Sequence, residues 1–269
     1  MEISKDELNI ALSRYKEEVF TVRDYLSALE KIGIKKGDTI CVHSQLFSFG
    51  APVCNRETFL HYICKVLLDK IGVSGTLIMP TFTYSFCKKQ IYDVQNTPST
   101  VGILTEYFRK VPGVKRTKHP IFSFSVVGAR QEEFTDICCD AFDLHESVYG
   151  KMLQMNDKVI LFGAPKGYTF YYLAEQFVGV SHRYFKKFDG ILIDEGRQYN
   201  ETVPYYVRYL DRQSSEDEFK VDSYLLEKNL LDVVNISGGS IRKFNCKEAF
   251  EAFVDKLRDD ETYFLASKC

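Results

Sequence analysis

The sequence predicts a single α/β domain with a central, largely parallel sheet flanked by helices and an antiparallel addition toward the C-terminus. Three observations carry that expectation. Apolar, β-branched runs alternate with amphipathic helical stretches through the first 165 residues, which is the order of βαβ units. The runs "DTICV", "GTLIM", "FSFSVVGA" and "DKVILFGA" are apolar almost throughout, as strands covered on both faces should be. A chain of 269 residues with 45% hydrophobic and 27% charged content can also bury one substantial core.

Taken in order, residues 1–20 place Leu8, Ala11, Leu12, Tyr15 and Val19 at helical spacing and predict an N-terminal amphipathic helix. Thr21 caps a second helix, "VRDYLSALEKIG", that ends at Gly33. A "KKGD" turn leads into strand 38–42, whose exit is polar: His43, Ser44 and Gln45. "ETFLHYICKVLLDKIG" is a helix with Phe59, Ile63, Val66 and Leu67 on its apolar face. Thr76 to Met79 form the next strand, which again leaves into a polar segment at Pro80–Thr83. "STVGILTEYFRKVPG" predicts a helix capped by Ser99 or Thr100, and "YTFYYLAEQFVGV" fits a helix or an irregular segment equally well. "DGILIDEG" and "TVPYYVRYL" are β-like, so residues 190–235 form a β-rich variable addition. "DRQSSEDEFK" is the most solvent-like stretch, and "SYLLEKNLLDV" and "KEAFEAFVDKL" are late helices.

A net charge of −2 and a pI near 6.2 argue against nucleic acid as a main partner. No apolar run reaches the roughly 20 residues that cross a bilayer. The N-terminus is charged from residue 2 and lacks a signal-peptide core, so a cytoplasmic protein without membrane contact is expected. None of the eight cysteines forms a C-x-x-C pair, and no Cys/His cluster has zinc spacing. Cys41, Cys54, Cys64, Cys87, Cys138, Cys139, Cys246 and Cys269 are therefore expected to be reduced thiols, most of them buried, with no metal bound. P-loop, Rossmann and nucleophile-elbow motifs are absent, as is hexapeptide periodicity. A homo-oligomer is left open.

Four segments in order, "GDTICVHSQLFSFG", "GTLIMPTFTYSF", "TPSTVGILTEYFRKVPGVKRTKHPIFSFSVVG" and "ESVYGKMLQMNDKVILFGA…LAE", resemble the aminoglycoside 3-N-acetyltransferase family. The paired signals G-D-x-x-x-V-H-S and R-[ST]-x-H-P-x-x-S at this separation carry the resemblance. It implies acetyl transfer from acetyl-coenzyme A to an amine, without a metal. It also implies that His43, Ser44 and Gln45 lie against the phosphates and pantetheine arm of the carrier. Backbone N–H groups at a strand-to-helix turn suit such phosphates without a P-loop. Thr81, Phe82 and Thr83 would wall the same channel, with Arg116, flanked by Lys115 and Lys118, as a fixed phosphate charge. His119 and Ser123 fall on the H-P-x-x-S pattern and would line it. On residue type alone, "KVPGVKRTK" also reads as a solvated basic loop and His119 as a structural histidine, as do His61 and His145.

An ammonium has no lone pair, so amine acylation needs a group that takes its proton. In the family a histidine stands three residues before a glutamate. In "TFYYLAEQ" the glutamate is Glu175, but the histidine position is Tyr172. Three readings stay open: Tyr172 relays or positions, His182 takes over as base, or Glu175 acts alone or through a water. A phenol near pKa 10 is a poor base unless a cation lowers it. A relative that binds coenzyme A without catalysis, or one that uses a longer acyl group, is also open.

Aminoglycosides are polycations, and their site should be rich in carboxylates. Near the motifs stand only Asp93, Glu106 and Glu175, while "YTFYY" and "HRYFKK" offer aromatic and basic groups. The expected acceptor is therefore a small-molecule amino sugar, a nucleotide-linked (dTDP- or UDP-type) deoxyamino sugar for surface-glycan or O-antigen synthesis, with an aminoglycoside antibiotic as the alternative.

Overall fold

The computed structural model describes residues 2–135, 137, 140–165 and 167–267. At the N-terminus β1 (Ala11–Tyr15) turns back into β2 (Glu18–Thr21), and β1 also pairs with β4 (Ala51–Pro52). The expected N-terminal helix is thus a hairpin. Tyr15 and Val19, two of the positions that set the helical period, are 42% and 41% exposed. The buried pair is instead Leu12 and Ser13, and the Ser13 hydroxyl is hydrogen-bonded to Tyr25 at 2.8 Å and Ser237 at 2.7 Å. Strand pairing has overridden a local helical pattern.

Helix α1 (Val22–Lys31) starts where expected, with a capping box between Thr21 and Asp24. Strand β3 (Thr39–Ser44) follows and ends two residues later than predicted, so His43 and Ser44 still belong to it. Helix α2 (Arg56–Ile71), capped by Asn55, leads into β5 (Thr76–Pro80). Beyond it come β6 (Tyr92–Asp93), α3 (Ile103–Phe108), β7 (Lys115–Arg116), β8 (Phe124–Gly128) and α4 (Gln131–Thr135). Helix α3 begins later than predicted, at Gly102, because Ser99 bonds instead to Thr105 and Glu106. Helix α5 (Val148–Met155), β9 (Lys158–Phe162) and α6 (Tyr171–Val178) complete the core unit.

The long strands β10 (Arg183–Asp194) and β11 (Arg197–Arg208) then form the expected antiparallel addition, a hairpin paired along its full length. Helix α7 (Glu218–Glu227), β12 (Asp232–Ile236), β13 (Gly239–Asn245) and α8 (Cys246–Asp259) end the chain. The β12–β13 hairpin, not anticipated from the sequence, returns to the central sheet through β13 and β9.

The seven-stranded sheet runs β12-β13-β9-β3-β5-β8-β7. Its centre, β9-β3-β5, is parallel, and the flanking strands, β8 included, are antiparallel. Side chains alternate between two cores. Ile40, Val42, Leu77, Met79, Ile160 and Phe162 face α1 and α2. Cys41, Ile78, Val159 and Leu161 face α5, α6 and α8. This alternation puts His43 on the α5–α6 side, and the carboxyl ends of three parallel strands open side by side, where α/β sheets bind ligands.

Gly163 (φ +71°) terminates β9 against the β3 exit. A Cβ there would stand 2.6 Å from the Gln45 carbonyl and 2.7 Å from Phe49. Gly163→Ala should therefore lower stability by at least about 2 kcal/mol in urea unfolding, combining left-handed strain with a backbone clash. An unchanged midpoint would contradict this packing.

Candidate active site

Three cavities follow one another from the strand exits to the hairpin. The first, about 200 Å³, is lined by His43, Ser44 and Gln45 at the end of β3, Pro80 and Phe82 at the end of β5, and Gly167 and Thr169 beyond β9. Gly167 and Thr169 also line a narrow 40 Å³ cavity with Tyr172, Glu216 and Glu218. Tyr172 and Glu216 recur in the third, about 280 Å³, with Arg183, Lys186, Tyr205 and Arg208. Each cavity thus shares wall residues with the next, and the row of three is called the groove below.

At the first cavity, His43 is almost wholly buried and its Nε2 lies 3.0 Å from the Tyr149 hydroxyl. Burial pushes its pKa down to about 4, so the imidazole is neutral at neutral pH. Burial likewise raises the Cys41 thiol, which excludes a thiolate beside it. Thr81 and Thr83, by contrast, are turned into the protein. The Thr81 carbonyl accepts from Ser123 Oγ at 2.7 Å and Arg116 Nη2 at 2.6 Å, and Thr83 Oγ1 donates to the Pro120 carbonyl at 2.7 Å.

Arg116 also donates to the Thr97 carbonyl at 2.5 Å and lies 5.3 Å over the Tyr92 ring. It faces a separate cavity of about 410 Å³ with Arg109, Lys115 and Lys118. His119 is buried and accepts at Nδ1 from the backbone N–H groups of Ile121 and Phe122 at 3.2 and 3.0 Å. Burial lowers its pKa to about 3. His43, Ser44, Gln45 and Phe82 thus meet at the groove, whereas Thr81, Thr83, Arg116, His119 and Ser123 do not line it.

At the other end, Tyr172 and Glu175 share α6 and His182 follows in the next turn. His182 Nε2 donates to Glu175 Oε1 at 2.9 Å, since a carboxylate can only accept. Arg183 Nε lies 2.7 Å from Glu175 Oε2, its Nη2 donates to Glu216 Oε1 at 2.7 Å, and its guanidinium carbon stands 4.3 Å over the Tyr172 ring. Burial opposes the Arg183 charge, but Glu175, then Tyr172 and Glu216 outweigh it and raise the pKa. Burial above all, with the charge of Glu216, pushes the Tyr172 phenol well up, against the pull of Arg183. Tyr172 is therefore a donor. Glu175 is wholly buried, and neither it nor His182 lines the three cavities.

Glu216 and Glu218, in the stretch that reads as solvent-like, are the carboxylates that reach the groove. Glu218 accepts from the Gly167 N–H at 2.6 Å. The signal available for them was only their charge. The five described cysteines are free: Cys41, Cys64 and Cys246 are buried, Cys54 is half-buried and Cys87 is exposed. Cys138, Cys139 and Cys269 lie outside the described residues. Among the described residues no group of three or more His, Cys, Asp or Glu is placed to hold a metal ion, and no helix is long and apolar enough to cross a membrane.

The family model for aminoglycoside 3-N-acetyltransferases matches residues 41–258. This chain belongs to that family. It is 29% identical over 171 residues to the SPbeta prophage-derived aminoglycoside N(3')-acetyltransferase-like protein YokD of Bacillus subtilis (strain 168). That match spans 55% of the chain and 61% of YokD, so less than two thirds of the relative's length is represented. The fold is shared with AAC-IIIb, solved as a binary complex with CoASH, at TM-score 0.76 and 19% identity over 93% of this chain and 99% of that one. It is shared equally with AAC-VIa, solved with sisomicin, at TM-score 0.78 and 17% identity over 89% and 98%.

These findings overturn the expectation of a nucleotide-linked sugar for glycan synthesis. The family and its named relatives are aminoglycoside acetyltransferases. Carboxylates close to the motifs in sequence are a poor guide to the cavity walls, because the fold brings in Glu216 and Glu218 from a distant stretch.

Two outcomes follow. Because His43 and His119 are held below the unfolded histidine value of 6.5, the unfolded chain takes up protons first. Stability should be fully present above pH 6.5 and fall as pH drops toward 4, by about 1.4 kcal/mol per unit per histidine. Thermal melts should flatten in that window for His119→Gln. Separately, Glu175→Leu should cost about 3–5 kcal/mol, by leaving the Arg183 charge with one partner fewer in a buried site. A melting temperature within a degree of wild type would refute that account of Arg183.

Proposed function

We propose that this chain is an acetyl-coenzyme A-dependent N-acetyltransferase acting on an amine of an aminoglycoside-type amino sugar. The observation that carries the reading is the row of neighbouring cavities from the sheet's carboxyl edge to a carboxylate-bearing wall, in a chain of this family. The thioester arm would lie in the strand-exit cavity against His43, Ser44, Gln45 and Phe82. Gly167 suits that passage, because a Cβ there would come within 3.3 Å of the His43 ring. His43, held neutral, would contribute a hydrogen bond without repelling a cationic acceptor.

Thr81, Ser123 and Arg116 would support the channel from behind by fixing the β5 exit through the Thr81 carbonyl. Thr83 and His119 would do the same for the Pro120 turn. Glu175 and His182 would act on the reaction indirectly, by fixing Arg183. Tyr172 stands where the narrow cavity meets the wide one, and its ring bounds the place where acceptor and thioester would meet.

Lys186 and Arg208 also line the wide cavity, and they oppose polycations. Purified protein with acetyl-coenzyme A should release thiol in the presence of an aminoglycoside, and the product should gain one acetyl group by mass. No release across a panel of aminoglycosides and simpler amino sugars would refute the reading. Arg208→Glu should lower KM for a polyamine acceptor several-fold, most at low salt, with KM for acetyl-coenzyme A unchanged.

A further inference from the structure

The carboxylate offered to the acceptor end of the groove is Glu216. It lines both the narrow and the wide cavity, and its side chain keeps 18% exposure where that of Glu175 has none. Oε1 accepts from Arg183 Nη2 at 2.7 Å. A carboxylate has about four lone-pair sites, so capacity remains toward the cavity. The Tyr172 phenol is held protonated by burial and by the Glu216 charge, which makes it a donor in that pair.

The backbone around Glu216 is pinned. Glu216 bridges Leu265, Asp217 N–H donates to the Phe264 carbonyl at 2.7 Å, and Ala266 N–H donates to the Ser215 carbonyl at 2.8 Å. Glu175 cannot play the same part, since it is wholly buried and lines none of the three cavities.

We infer that Glu216 is the group that receives the acceptor amine and takes its proton, an inference that rests on the acetyl-transfer reading above. One ammonium proton passes to the Glu216 carboxylate and frees the nitrogen lone pair. The new N–C bond forms at the thioester carbonyl as the C–S bond breaks, and the sulfur leaves with its electron pair. The second nitrogen proton neutralises that thiolate, and Glu216 returns its proton to water. Arg183 and Tyr172 are positioning residues that hold the carboxylate toward the groove.

The test compares wild type, Glu216→Gln and Glu216→Asp for thiol release from acetyl-coenzyme A with one aminoglycoside, across pH 5.5–9. Glu216→Gln should lower kcat/KM for the amine at least about 100-fold. KM for acetyl-coenzyme A should stay within threefold. Glu216→Asp, which keeps the charge but shortens the reach, should recover at least tenfold over Glu216→Gln. If the glutamine variant does not fold, the aspartate variant must itself fall at least tenfold below wild type. Glu216→Gln activity within threefold of wild type, or, where that variant does not fold, Glu216→Asp activity less than tenfold below wild type, overturns the inference and leaves the acetyltransferase reading standing. Failure of wild type itself to release thiol overturns both, and is recognised because it appears without any substitution.

Discussion

A single buried guanidinium organises the hairpin end of the groove. Arg183 stands at the root of the β10–β11 hairpin and joins α6, through Glu175, to the 215–218 loop, through Glu216, while covering the Tyr172 ring. Two charges of opposite sign in a dry interior are costly unless each is matched, and here one cation is shared by two carboxylates. His182 completes the set by donating to the remaining oxygen of Glu175. The geometry of the groove wall is a consequence of this pairing, because none of the three segments reaches the others through backbone strand pairing.

That arrangement gives a physical meaning to the replacement of the family's histidine by Tyr172. A cation beside a phenol would ordinarily favour its ionisation, yet burial and Glu216 prevail and the hydroxyl stays protonated. At this position the chain carries a hydrogen-bond donor, and an acceptor, Glu216, lines the same two cavities beside it.

Much of the fold was legible from sequence because the buried strands are short, apolar and bounded by turn residues. β3, β5, β8 and β9 fall where their apolar runs lie, and Thr21 and Gly33 bracket α1. The N-terminal hairpin was not legible, since Leu8 to Val19 carry a helical period that only pairing with β4 and the Ser13–Tyr25 contact overrule. Direction was hidden too: β8 reads like a parallel strand but runs antiparallel to β5. At the site, the strand-exit residues His43 to Gln45 were readable from their polar character, and the approach of His182 to Glu175 from their spacing. Arg183 and Glu216 were not, because a charged residue in a polar stretch looks solvated until the fold brings its partner.

Among the described residues, the hairpin that carries Arg183, Lys186, Tyr205 and Arg208 pairs with another strand only near its turn, where Leu192 and Ile193 meet Tyr92 and Asp93. Its root half, which carries those four residues, is free of the register that the seven-stranded sheet imposes. Substitutions in those two strands can therefore reshape the wall of the wide cavity while the strand exits keep their spacing.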